Sequence, residues 1–223
     1  MSTTPSDVAR LRNWFADGTL VDPAGPGATL VDLARALAAL CGVPGLELSA
    51  GAEGLREIVG ESRHLVLVLI DGLGLEQLER CPEGGFLRSH VAAETRSVFL
   101  SSTAPALTSL YTGEFPSRHG VLSWWLRLPE HDLTATILPF TERFGEKDLR
   151  ELSVQPEKIL TCPALIGKMS HRPLAVLPEG LVGSVYSTYS CGNTEQAGYV
   201  EIADGFNTTA ERVAGSSGPT FTY

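Results

Sequence analysis

Six consecutive apolar residues, Leu65-Val-Leu-Val-Leu-Ile70, form an uninterrupted apolar run that no other in the chain exceeds, and Asp71-Gly72 closes it. A run this short, apolar on both faces and ended by turn residues, predicts a strand covered on both sides. Such strands are found mostly in parallel sheets, and parallel pairing requires helical crossovers. The rest of the pattern agrees. Leu30, Leu33, Leu37 and Leu40 recur at helical spacing before Gly42, and a second helical stretch runs from Glu53 to Val59 before Gly60. Leu73 to Arg80 reads as the helix after the strand, and Ala92 to Leu100 as extended. Thr103 to Tyr111 reads as a further helix. Later, Leu174–Leu177, Val182–Ser187 and Thr220–Tyr223 read as extended, with helical patterns at Ala164–Met169 and Thr208–Ala214. Strands alternating with helices predict an α/β fold with a mostly parallel sheet flanked by helices.

Residues 1–29, with Pro23, Gly25, Pro26 and Gly27, read as a loosely structured lead-in, and residues 30–223 as one domain. The six-residue run is far short of the roughly twenty that cross a bilayer, so no membrane span is expected. No secretory signal pattern opens the chain. Cys41, Cys81, Cys162 and Cys191 are widely spaced, without a Cys-x-x-Cys pair, which predicts reduced thiols and a cytoplasmic setting. A net charge of −9 disfavours binding to a nucleic-acid duplex but leaves room for a small phosphate substrate beside a metal.

Two positions carry the chemistry. Asp71 follows the buried strand and so falls at the sheet's carboxyl edge, where ligand sites of open α/β folds gather. An isolated Asp-Gly is more often only a turn. Thr103 reads as the N-cap of the helix that Gly113 stops, with Pro105 tolerated in the first turn. A hydroxyl there lies beside the free amides and positive dipole end of a helix, where a phosphate can bind. Coordination to a metal would lower its pKa enough to make it a nucleophile, and Asp71 could hold that metal.

The order Asp71-Gly72, Thr103-Ala-Pro105, Thr108-Ser-Leu110, Thr112-Gly113, Pro116 and His119-Gly120 resembles the type I phosphodiesterase and nucleotide pyrophosphatase branch of the alkaline phosphatase superfamily. The resemblance implies an alkaline-phosphatase-like core. It also implies two divalent metal ions, usually zinc, with Asp71 a ligand and Thr103 both ligand and transiently phosphorylated nucleophile. The implied substrates are phosphodiesters, nucleotide pyrophosphates and related small phosphate esters. His119 is expected to make buried hydrogen bonds rather than to bind metal. Where the family's eukaryotic branch carries an asparagine after His-Gly, this chain has Ser123, Trp124 and Trp125. The remaining family ligands, an Asp-x-x-x-His pair, an Asp-His pair and a final histidine, are expected beyond Tyr223, so the chain reads as an N-terminal portion with little activity alone. The alternative is a non-catalytic α/β domain that keeps the fold and lacks the second metal site. Sulfatase chemistry needs Cys or Ser followed by x-Pro-x-Arg, which Thr103-Ala-Pro-Ala-Leu107 does not supply, and no Gly-x-Ser-x-Gly elbow is present. Glu130-His-Asp132 reads as a solvated loop.

Overall fold

Four parallel strands organise the chain, and the first of them leads to Asp71. A computed structural model describes residues 5–22, 25–192 and 194–223. Pro23 of the lead-in and Asn193 of the Cys191-Gly-Asn193 stretch, expected to be a turn, lie outside the described residues. The elements are α1 (Pro5–Ala16), α2 (Leu30–Leu40), α3 (Ala50–Val59), β1 (His64–Val66), α4 (Leu75–Glu79) and α5 (Phe86–Ser89). Then come α6 (Thr103–Thr112), α7 (Pro116–His119), β2 (Trp125–Leu128), β3 (Leu133–Thr136), β4 (Thr141–Glu142) and α8 (Pro156–Ile159). The chain continues through β5 (Arg172–Pro178), α9 (Val185–Ser190), β6 (Glu195–Tyr199), α10 (Ile202–Gly215) and β7 (Thr220–Thr222).

The sheet order is β1-β7-β5-β6, with Leu65 opposite Phe221, Leu174 opposite Thr222 and Val176 opposite Ala197. The first and last strands of the chain are therefore neighbours, joined by everything between them. Because all four run the same way, their carboxyl ends share one edge, and helices flank them, as the alternating pattern predicts. A second sheet, β2-β3-β4, is antiparallel and was not legible as such in the sequence. Its Ala135, with Ile137 and Phe140 just beyond β3, joins Leu65, Ala104, Tyr111, Tyr186 and Phe221 in one core.

Local chemistry explains the best-formed helices. Thr29 and Asp32 make a reciprocal capping box at the start of α2, with the Thr29 amide donating to Asp32 at 2.7 Å. Gly113 ends α6 in the left-handed region, at φ 65°, and a Cβ there would stand 2.5 Å from Leu165 Cδ1. Arg35 on α2 donates to the Gly113 carbonyl at 2.8 Å and pairs with Glu114, which ties the end of α6 to α2.

Several sequence expectations change. The run from Leu65 to Ile70 is a strand only to Val66, although the Leu67 amide still donates to the Thr222 carbonyl. It is not covered on both sides. β1 is an edge strand, so Leu65 is 9 % exposed while Val68 is 52 % exposed, and Leu69 and Ile70 resemble Val68. Ala92 to Leu100 is irregular apart from a bridge between Arg96 and Thr29. Val182–Ser187, expected to be extended, enters helix α9 instead, capped by Ser184 accepting from the Ser187 amide. Ala164–Met169 holds only a short 3-10 turn, Ile166–Lys168, and β6 emerges where no strand was expected. Residues 5–16 of the lead-in form α1, whose side chains from Ser6 onward are nearly all exposed.

Candidate active site

The turn after the central run and the first residue of α6 meet at the carboxyl edge of the sheet. Gly72, at φ 75°, turns the chain immediately after Asp71. Thirty-two positions later Thr103 Oγ1 donates a hydrogen bond to Asp71 Oδ2 at 3.1 Å. The two oxygens face each other across the opening of the helix, on an exposed part of the surface.

One detail of the sequence reading is corrected. Thr103 is not the N-cap: Ser102 holds that position in an extended conformation, and Thr103 is the first helical residue. Its hydroxyl is thus not occupied in capping the helix, which leaves it for Asp71. The Ser102 Oγ makes no capping bond and has no hydrogen-bond partner among the described residues. Pro105 lacks an amide, so the free donors of the first turn come from the residues just before it.

Behind Thr103 the helix is held rigidly. Ala104, Pro105 and every residue from Thr108 to Thr112 are buried. Thr108 Oγ1 donates to the Ala104 carbonyl at 2.8 Å and lies 2.8 Å from the Tyr186 hydroxyl on α9. Ser109 Oγ lies 2.9 Å from His119 Nε2, and His119 Nδ1 accepts from the Val121 amide at 3.1 Å. That acceptor role puts the ring proton on Nε2, from which it is donated to Ser109. Only 1 % of His119 is exposed, and burial pulls its pKa down to about 4, against a smaller upward pull from the Pro105 carbonyl. The imidazole is neutral near pH 7 and braces the loop after α6, the buried hydrogen-bonding role expected from the sequence.

Other singled-out residues stay apart from this pair. Glu130, His131 and Asp132 are exposed on a 3-10 turn. His64 Nδ1 lies 2.9 Å from Thr220 Oγ1 in the sheet. Trp124 and Trp125 remain partly exposed rather than joining the core, and the Arg143 guanidinium sits 3.9 Å from the Trp125 ring centre. Tyr186 was missed in the sequence because its helix was read as extended.

Residues 65–140 match the type I phosphodiesterase / nucleotide pyrophosphatase family. The matched stretch is less than half of the chain, and it contains Asp71, all of α6 and the His119-Gly120 turn. No curated protein and no solved structure matches the chain. The family match relates this stretch to phosphodiester and pyrophosphate hydrolysis, and so to small phosphate-ester or nucleotide substrates.

The donor set bears on the metals that the sequence resemblance implies. Two oxygen ligands of one tetrahedral zinc ion, each about 2.0–2.2 Å from it, stand roughly 3.3–3.6 Å apart. The 3.1 Å between Thr103 Oγ1 and Asp71 Oδ2 is slightly shorter, so a small opening of the pair would let both oxygens reach a single ion. Among the described residues no group of three or more His, Cys, Asp or Glu side chains gathers to hold a metal. The pair therefore fits part of one site, and a second site does not fit the residues described. Among the described residues no helix is long and apolar enough to cross a membrane.

Proposed function

We propose that the chain carries the nucleophile of a metal-dependent hydrolase that cleaves phosphodiester or nucleotide pyrophosphate bonds through a phosphothreonine at Thr103. The carrying observation is the hydrogen bond from Thr103 to Asp71 at the opening of α6. Thr103 Oγ1 forms a bond to phosphorus while the bond from phosphorus to the leaving oxygen breaks; the hydroxyl proton passes along the line to Asp71 and ends on the leaving oxygen, which departs as an alcohol or a phosphate. Water then cleaves the Oγ1–P bond, releasing phosphate or a phosphate monoester and restoring the hydroxyl. The positive end of α6 stabilises the charge on the non-bridging oxygens. A divalent metal, when bound by Asp71 and Thr103, lowers the hydroxyl's pKa and offsets phosphate charge. Zinc is the ion this reading favours, with a second ion beside the first. Four free cysteines fit a reducing compartment, so the reading includes a cytoplasmic location. Residues 30–223 are read as one domain behind a separate lead-in.

The test is hydrolysis of an aryl phosphodiester with and without added zinc, beside mass spectrometry of acid-quenched protein. Zinc-dependent turnover, a phosphoryl group on Thr103, and a loss of about 10³-fold or more in Thr103→Ala are expected. Equal turnover by Thr103→Ala would end the nucleophile assignment. The competing reading, a non-catalytic α/β domain, is favoured by the absence of a third donor among the described residues. It wins if zinc titration shows binding unchanged by Asp71→Asn and no phosphothreonine forms.

A further inference from the structure

The amino ends of the parallel strands share the edge opposite Asp71, and there the turn from α10 into β7 gathers arginines. Arg63, just before β1, donates through Nη2 to the Ser217 carbonyl. Arg172, the first residue of β5, brings its Nη2 to 3.7 Å from where a Cβ on Gly218 would stand. Two guanidinium groups thus converge on adjacent residues of one turn, whose Cα atoms are about 3.8 Å apart. Register reinforces the convergence: His64 and Arg172 lie on either side of Thr220, and Thr220 Oγ1 is 2.9 Å from His64 Nδ1. A third guanidinium, that of Arg212 on α10, donates through Nη2 to the Arg172 carbonyl at 3.4 Å.

No carboxylate neutralises the first two. Neither Arg63 nor Arg172 has an ion-pair partner among the described residues. Glu61, two positions before Arg63, reaches Arg56 instead at 3.9 Å, and Glu195 pairs with Arg212 at 3.5 Å. Glu211, next to Arg212 in the chain, makes no ion pair among the described residues. The chain has 26 acidic residues to 17 Lys and Arg, yet sets none between these two cations, whose mutual repulsion an anion would relieve. The turn adds further donors. The Ser217 and Gly218 amides have no hydrogen-bond partner among the described residues, and Arg212 Nε is buried without one. Arg63 and Arg172 are both exposed, so a solute can reach them. Guanidinium forks and free amides only donate, and the forks match the oxygens of a phosphate. We infer that this turn binds a phosphate group, with Arg63 and Arg172 on its oxygens. The site lies at the far edge of the sheet from Thr103 and is independent of the hydrolase reading.

The probes are inorganic phosphate and AMP, titrated into the zinc-free protein and followed by amide ¹H–¹⁵N spectra, with sodium chloride at matched ionic strength as control. Saturable shifts of the Ser217, Gly218 and Thr220 amides with phosphate, and none with chloride, are expected. Equal affinity for phosphate and AMP identifies the phosphate group alone as what is recognised, and tighter binding of AMP narrows the class to nucleotides. The Arg172 side chain makes no hydrogen bond among the described residues, so its replacement spares the fold. Arg172→Gln should weaken binding about tenfold and Arg172→Glu should abolish it, each with the rest of the spectrum native. Equal shifts with chloride, shifts confined to residues near Thr103, or binding unchanged in Arg172→Glu would overturn the assignment.

Discussion

The helix that carries Thr103 and the stretch that carries Asp71 are built in opposite ways, although each ends at the same hydrogen bond. α6 is buried nearly all round and fastened by Ser109–His119 and Thr108–Tyr186. From Val66 to Ser102 the chain is largely exposed, with Val68, Leu69, Ile70, Leu73, Phe86, Phe99 and Leu100 open to solvent. Apolar periodicity states which residues gain by burial but supplies no neighbour to bury them. The candidate site thus joins a rigid hydroxyl to a carboxylate on a less supported turn.

Mutations at matched positions break or sharpen this contrast. Leu65→Ala should cost about 2–4 kcal/mol in urea unfolding, because Leu65 packs in the core opposite Phe221. Replacing His119 by Ala should cost about 2 kcal/mol, since it strands the Ser109 hydroxyl and the Val121 amide. His119 also predicts a pH dependence. Its folded pKa, about 4, lies below the ordinary value of 6.5, so its contribution is complete above pH 6.5. That contribution is lost as pH falls from 6.5 toward 4, where the unfolded chain takes up a proton that the folded chain refuses. Urea unfolding at pH 7.5, 6 and 5 should show stability falling, with a shallower fall in His119→Gln. Tyr186→Phe should cost about 1 kcal/mol by removing the bond to Thr108. Smallest of all, Val68→Thr should change stability by less than about 0.5 kcal/mol. A cost for Val68→Thr equal to that of Leu65→Ala, or one that varies with protein concentration, would mean that the exposed stretch is covered in solution.

What could be read early follows from what local rules encode. The helix from Thr103, the Gly113 stop, the strand from Leu174 and the terminal strand from Thr220 all rest on periodicity and turn residues, and all form. Val182–Ser187 misled because its β-branched and aromatic residues favour a strand, whereas the Ser184 cap and the packing of Tyr186 select a helix. The antiparallel sheet hid because β2, β3 and β4 are no more than four residues long. At the site, the two residues were legible from their positions after a strand and at a helix start. Their mutual approach was not, since it depends on how a strand end and a helix start separated by 31 residues are brought together.

The amino-acid order by itself determined the α/β class, the strand leading to Asp71, the helix opening at Thr103 and the turns at Gly72 and Gly113. These are consequences of short-range backbone preference and of apolar spacing. Only the tertiary structure decided that β1 lies at an edge, that Ser102 rather than Thr103 holds the N-cap position of α6, and that the Thr103 hydroxyl turns to Asp71. Each of these depends on which distant segments become neighbours. That is set by packing the whole core at once, with Leu65 against Phe221 and Tyr186 against Thr108, rather than by any one stretch of chain.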